Sequence, residues 1–194
     1  MKKGYLLVVL TLLMCVFFSC EDQSVNFYPG FDFVYDKSKD EITVVGYTEW
    51  DESMGSLKIP ESLYGKPVTA IGYECEADKY GDPIGNYSID GFNGMSGDYY
   101  LKELVLPQTV KEINNFAFTK IRYDSFKILE DEILDIEVYL EKIILLSKNP
   151  PKLYEYSLKE CLALFYVPKG SLDSYKTAPL WSDYADRIFS VEEL

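Results

Sequence analysis

Three segments of the chain end alike: Leu57-Lys58-Ile59-Pro60, Leu104-Val105-Leu106-Pro107 and Phe165-Tyr166-Val167-Pro168. Each is a short, largely apolar run stopped by proline, which has no N–H to give to a strand ladder. The prolines are 47 and 61 residues apart. With leucine-rich units of about 20–29 residues, those gaps hold about two coils and then two to three. The fullest unit runs from Leu101 to Phe118, with Leu104, Leu106, Val110, Ile113, Phe116 and Phe118 at core-facing spacings. One such unit cannot bury its own apolar face, so the pattern calls for neighbours that stack on it.

The Leu101 to Phe118 run resembles the BspA-like leucine-rich repeat of bacterial surface lipoproteins and adhesins, whose unit reads approximately L-xx-ΦxΦP-xx-V-xx-I-xxx-AF. Leu101, Leu104, Leu106, Pro107, Val110, Ile113, Ala117 and Phe118 match it. Ile59-Pro60-Glu61 with Gly65-Lys66-Pro67-Val68-Thr69-Ala70-Ile71-Gly72 is similar to an opening coil. Asn149-Pro150-Pro151, Tyr166 to Ser171 and Tyr175-Lys176 are similar to a closing one. Ser88-Ile89-Asp90-Gly91-Phe92 is a loose repeat, and residues 119–140 fit poorly. The resemblance implies a β-rich repeat solenoid of leucine-rich-repeat, horseshoe type over residues 57–170, with short strands on successive coils and an insertion at 73–100.

The ends of such a stack need caps. In residues 31–56, Phe31, Phe33 and Tyr35 alternate with polar neighbours, Asp36 to Asp40 reads as a turn, and Ile42, Val44 and Val45 follow. This predicts an N-terminal β-hairpin cap. In residues 171–194, Ser171 is placed to N-cap a short helix with Leu172 and Tyr175 inward. Pro179 precedes a second helix with Trp181, Tyr184 and Ile188 on one face, which predicts a short C-terminal helical cap.

The N-terminus reads as an address. Lys2 and Lys3 precede a run from Tyr5 to Phe18 that is apolar apart from Thr11, the layout of a secretory signal. A spanning helix needs about 20 apolar residues, and this run stops at Ser19. Ser19-Cys20 resembles a lipobox, although Phe17 and Phe18 stand where leucine and a small residue are usual. The expectation is a lipoprotein signal peptide at 1–19, lipidation of Cys20 and an anchor and linker at 20–30. Glu21 and Asp22 resemble a surface-export signal. Together these predict an outer-membrane location, lipid-anchored and exposed at the cell surface.

Composition narrows the chemistry. The chain of 194 residues has no histidine and a formal net charge of −13. Without histidine, Ser-His-Asp and Cys-His catalysis and the usual zinc sites are excluded. The charge repels phosphate backbones, so nucleic acid is not an expected partner. Cys75 and Cys161 are expected to be unbonded to each other, Cys161 serving as core. The acidic stretch Glu130-Asp131-Glu132, with Asp135 and Glu137, offers calcium-type oxygens. Its interleaved Ile133, Leu134, Ile136 and Val138 read better as a solvated face over buried apolars. No catalytic residue, metal or cofactor is expected.

The insertion at 73–100 carries Tyr73, Tyr80, Tyr87, Tyr99 and Tyr100 among glycines. Tyrosine joins an apolar ring to a hydroxyl at low entropic cost, so these are the candidate ligand-binding residues. Tyrosines packed on the side of their own domain would show the same pattern. The functional expectation is a lipid-anchored binding module for a protein or glycan ligand at the cell surface. The alternative is a structural or accessory subunit of a surface nutrient-capture complex.

Overall fold

The computed structural model describes residues 26–28, 30–47, 55–80, 101–118, 128–129, 132–133, 140–159 and 161–194. Its N-terminal strands are β1 (Asn26–Tyr28), β2 (Phe31–Asp36) and β3 (Glu41–Tyr47), followed by β4 (Ser56–Lys58), β5 (Ser62–Leu63) and β6 (Lys66–Ile71). Then come β7 (Glu103–Leu106), β8 (Glu112–Ile113), β9 (Ile128–Leu129), β10 (Glu132–Ile133), β11 (Lys142–Leu145), β12 (Lys152–Leu153) and β13 (Leu164–Val167). The chain closes with helix α1 (Leu172–Thr177), a 3-10 segment Trp181–Arg187, strand β14 (Ile188–Ser190) and a 3-10 turn Val191–Glu193.

These strands build two main sheets. The seven-stranded sheet has the order β1-β2-β3-β6-β8-β12, with β5 paired to β6. It is mixed: β1, β2 and β3 are antiparallel, whereas β3, β6, β8 and β12 pair in parallel. The five-stranded sheet, β14-β13-β11-β7-β4, is parallel throughout. A small antiparallel pair joins β9 and β10.

This architecture corrects the expected fold. The described residues form an α/β-type domain of mixed and parallel sheets, not a horseshoe-type leucine-rich-repeat solenoid. Strands β4, β7, β11 and β13 begin at residues 56, 103, 142 and 164, with no constant period. The only α-helix among the described residues is the six-residue α1. The hairpin is not a separate cap, because β3 continues directly into the parallel part of the seven-stranded sheet. Nor is the C-terminus purely helical: Ile188 leaves the helical segment to begin β14 and pairs there with Phe165 of β13. Ser171 occupies the N-cap position without a side-chain capping bond.

Local chemistry explains the elements. Pro60, Pro107 and Pro168 lie just past the ends of β4, β7 and β13, where their missing N–H ends the ladder. The hairpin turn is held by Asp36, whose Oδ1 accepts from the Ser38 amide at 2.8 Å and the Ser38 hydroxyl at 2.7 Å. Those bonds hold its carboxyl down at about 2. Gly30, Gly65 and Gly72 all have positive φ, but Gly72 also has a packing reason, taken up below.

The two sheets share one core. Leu57, Leu104, Ile143, Phe165 and Ile188 are in register across the five-stranded sheet and point inward. Val44, Ile71, Ile113 and Leu153 do the same across the seven-stranded sheet, in the same apolar cluster. Each such side chain contributes about 1.5–3 kcal/mol on burial. At the C-terminal end, Tyr175 and Trp181 are buried with their rings 5.2 Å apart. The Trp181 indole N–H donates to the Pro151 carbonyl at 2.7 Å, and the Tyr175 hydroxyl to the Ser147 carbonyl at 2.9 Å. Both polar atoms are thereby satisfied inside the core.

Candidate binding surface

Of the five tyrosines singled out in the sequence, two lie among the described residues. Tyr73 is half-buried. Tyr80 is 74% exposed, with the Lys79 ammonium 4.7 Å from its ring centre. Tyr87, Tyr99, Tyr100 and Cys20 lie outside the described residues, as does most of the acidic stretch around Asp135. At the base of the insertion the aromatic chemistry is core-like: Cys75 and the fully buried Phe116 form a small cluster with Ala77 and Tyr156. The Phe116 and Tyr156 rings stack 5.4 Å apart at 4°. Asn115 ties this cluster together, donating to the Cys75 carbonyl at 3.2 Å and accepting from the Tyr156 amide at 3.0 Å.

Both cysteines are free and buried. Burial raises the Cys75 thiol and pushes Cys161 up to about 11, the opposite of an activated nucleophile. Among the described residues no three or more cysteines, aspartates or glutamates are grouped so as to hold a metal ion. No helix among them is long and apolar enough to cross a membrane.

The outer face of the seven-stranded sheet is polar and paired. Asp40 holds Lys66 at 2.7 Å and accepts from the Tyr35 hydroxyl. Glu41 pairs with Lys111 and accepts from Thr69 at 3.0 Å. The Tyr154 hydroxyl donates to Glu112 at 2.6 Å and lies 2.8 Å from the Lys152 ammonium.

The five-stranded sheet turns a different face outward. Alternation along each strand puts one register row opposite the core: Lys58, Val105, Ile144, Tyr166 and Phe189, one residue per strand. Val105, Ile144, Tyr166 and Phe189 are half-buried, and the Tyr166 and Phe189 rings lie 5.9 Å apart at 35°. Leu164, 37% exposed, stands in the adjacent row of the same face. The neighbouring row is Ser56, Glu103, Lys142 and Leu164. Its polar members are mutually engaged: Ser56 donates to Glu103 at 2.8 Å, and Lys142 pairs with Glu103 at 2.8 Å. Lys142 first, then Ser56, lowers the Glu103 carboxyl, and Glu103 in turn raises Lys142.

None of these outward residues stands among the candidate site residues read from the sequence. Their signal is nevertheless present, since Leu104-Val105-Leu106, Ile143-Ile144-Leu145 and Phe165-Tyr166-Val167 are apolar on both strand faces. A continuous apolar run marks a strand covered on both sides. Comparison with known proteins adds no assignment: no family model matches the chain, and no curated protein matches it.

Proposed function

We propose that the protein is a non-catalytic binding module, lipid-anchored through Cys20 at the cell surface, whose contact area is the outer face of the five-stranded sheet. One observation carries this reading: the register row Val105, Ile144, Tyr166 and Phe189 lies on the side of a parallel sheet turned away from its core. Parallel sheets are ordinarily covered on both faces, and this apolar row is half-buried. Beside the row Glu103 is paired with Lys142, and Lys58 at its end is exposed. Recognition then needs complementarity and no reacting group.

The test uses cells displaying wild-type protein or the Ile144→Lys variant. Retention on protein-coated and glycan-coated surfaces is measured alongside recovery of co-purifying envelope proteins. Loss of surface retention by a folded variant supports a ligand-recognition role. Loss of an envelope partner alone supports the accessory-subunit role, and no change in either counts against this face.

A further inference from the structure

The five-stranded sheet ends differently at its two edges, β14 and β4. At β14 the Ser190 amide donates to the Glu193 carboxylate at 2.8 Å, within the capping box of the Val191–Glu193 turn. At β4 no such device is present among the described residues. We propose that the outer edge of β4 binds an extended peptide segment by strand addition, with one carboxylate side chain of that segment paired to Lys58. This edge is separate from the outer face, and its role does not depend on that face being a contact area.

Backbone direction specifies an extended occupant. The Gly55 carbonyl accepts from the Glu103 amide at 3.0 Å, and the Ile59 amide donates to the Val105 carbonyl at 3.0 Å. Gly55, Leu57 and Ile59 therefore turn their backbone groups toward β7, in the register of Leu57 with Leu104. The residues between them turn theirs the other way. Ser56 and Lys58 thus each point an N–H and a C=O away from β7. Both residues are exposed, and among the described residues nothing bonds those backbone groups. Donors and acceptors at strand spacing are matched by another extended backbone.

Topology makes the occupant a single strand. β4 and β6 stand at the same level of the two sheets, because β4 pairs with β7, and β6 with β8, the strand after β7. Past that level only the seven-stranded sheet continues, through β3, β2 and β1. A second copy pairing its own β4 antiparallel here would bring its β6 onto the position of β3. A lone strand from a partner meets no such obstacle.

Charge selects among strands. Lys58 is exposed and has no ion pair among the described residues. Glu103 on the next strand is already engaged, by Lys142 at 2.8 Å and Ser56 at 2.8 Å. A short edge carrying a lysine deters indiscriminate pairing, and a strand that brings the opposite charge lifts that penalty. Side chains alternate along an added strand, so a carboxylate beside Lys58 lies on the outer face. The net charge of −13 opposes acidic ligands at long range, so one carboxylate in an otherwise uncharged segment fits better than an acidic run.

The test titrates the purified protein with end-blocked heptapeptides of alternating threonine and valine that carry glutamate, glutamine or lysine at the centre. Two further glutamate peptides are N-methylated, each on one alternate set of amides. Calorimetry gives affinity, and NMR gives amide shifts and hydrogen exchange. The glutamate peptide is expected to bind in about the millimolar range or tighter, with shifts and slowed exchange at Ser56 and Lys58. Glutamine weakens binding about fivefold and lysine further. One methylated set blocks binding and the other is tolerated, since only one side of the peptide meets β4. Lys58→Met removes the difference between glutamate and glutamine peptides at unchanged melting temperature. No binding of the glutamate peptide, equal binding of all three central residues, tolerance of both methylated sets, or shifts away from β4 overturns the proposal. Protection of the same amides that grows with protein concentration, without peptide, assigns the edge to a second copy and overturns it as well. Each of these results leaves the outer face to its own cell-surface test.

Discussion

Gly72 lays its bare α-carbon against Ala117: a methyl built on Gly72 would sit 2.7 Å from the Ala117 Cβ and 2.9 Å from its Cα. Its φ is +84, a conformation that side chains other than glycine resist. The close approach lets β6 turn toward the 115–118 turn without a gap. Gly72→Ala therefore combines backbone strain with a clash against main chain, and should cost about 2–4 kcal/mol. Urea unfolding followed by tryptophan fluorescence checks this; a loss under 1 kcal/mol, allowing for the usual ~10–15% extrapolation error, would show that the turn gives way easily.

Asn114 fastens the same corner. Its side-chain amide donates to the Gly72 carbonyl at 2.8 Å while its own amide donates to the Ile71 carbonyl at 2.9 Å. The next layer repeats the device with Ser157, whose hydroxyl donates to the Ile113 carbonyl at 2.6 Å and accepts from the Tyr154 amide at 2.7 Å. Asn114→Ala and Ser157→Ala each leave a buried carbonyl without that donor, at a cost of about 1–3 kcal/mol. The two corners are on adjacent strands, so a double-mutant cycle should show coupling between them. Strict additivity would mean that each corner stands alone.

Cys161 links stability to alkaline pH. Its folded pKa is raised to about 11 by burial, against an ordinary thiol value of 9.0. The raised value favours the protonated thiol in the folded state, so its contribution is fully present below pH 9 and is lost as pH rises through 11. The buried Tyr175 hydroxyl is raised as well and adds a loss of the same sign at higher pH. Chemical denaturation between pH 8 and 11 should show a steeper decline for wild type than for Cys161→Ala. Parallel declines would assign the alkaline loss to other groups. Alkylation of native protein should also be slow at both Cys75 and Cys161, and fast after unfolding.

Lipidation of Cys20 is checked separately from the fold. Cys20→Ala should abolish fatty-acid labelling and release the protein from the membrane fraction. Labelling that persists in the variant would move the modification elsewhere.

Much of the local structure was legible in the sequence. Alternation of Phe31 and Phe33, then Ile42 and Val44, marked the hairpin, and these residues are buried. Leu104, Leu106, Val110, Ile113, Phe116 and Phe118 were read as core, and all six are buried. The fold class was not legible, because similarity of single units does not say which strand pairs with which. In the structure Ala70 and Ile71 pair with Glu112 and Ile113 in one sheet while Leu57 pairs with Leu104 in the other. Ile188 was placed on a helix face with Trp181, but short segments fit helical and strand periods alike. The positive φ of Phe116 had no sequence signal, since an aromatic residue gives none.

The candidate site was less legible, for a physical reason. Clustered tyrosines in an insertion are conspicuous in one dimension, whereas Val105, Ile144, Tyr166 and Phe189 become neighbours only through strand register. Apolar residues on a strand are ordinarily assigned to the core, and only an observed pairing shows which parity faces outward.

The central claim is that ligand contacts the outer face of the five-stranded sheet. A photoreactive benzophenone side chain at position 164 on that face, or at position 111 on the polar face of the seven-stranded sheet, tests it on intact cells. Leu164 and Lys111 are both accessible, at 37% for the residue and 64% for the side chain. Irradiation should give ligand adducts from position 164 and none from position 111. Adducts from position 111 alone would contradict the account.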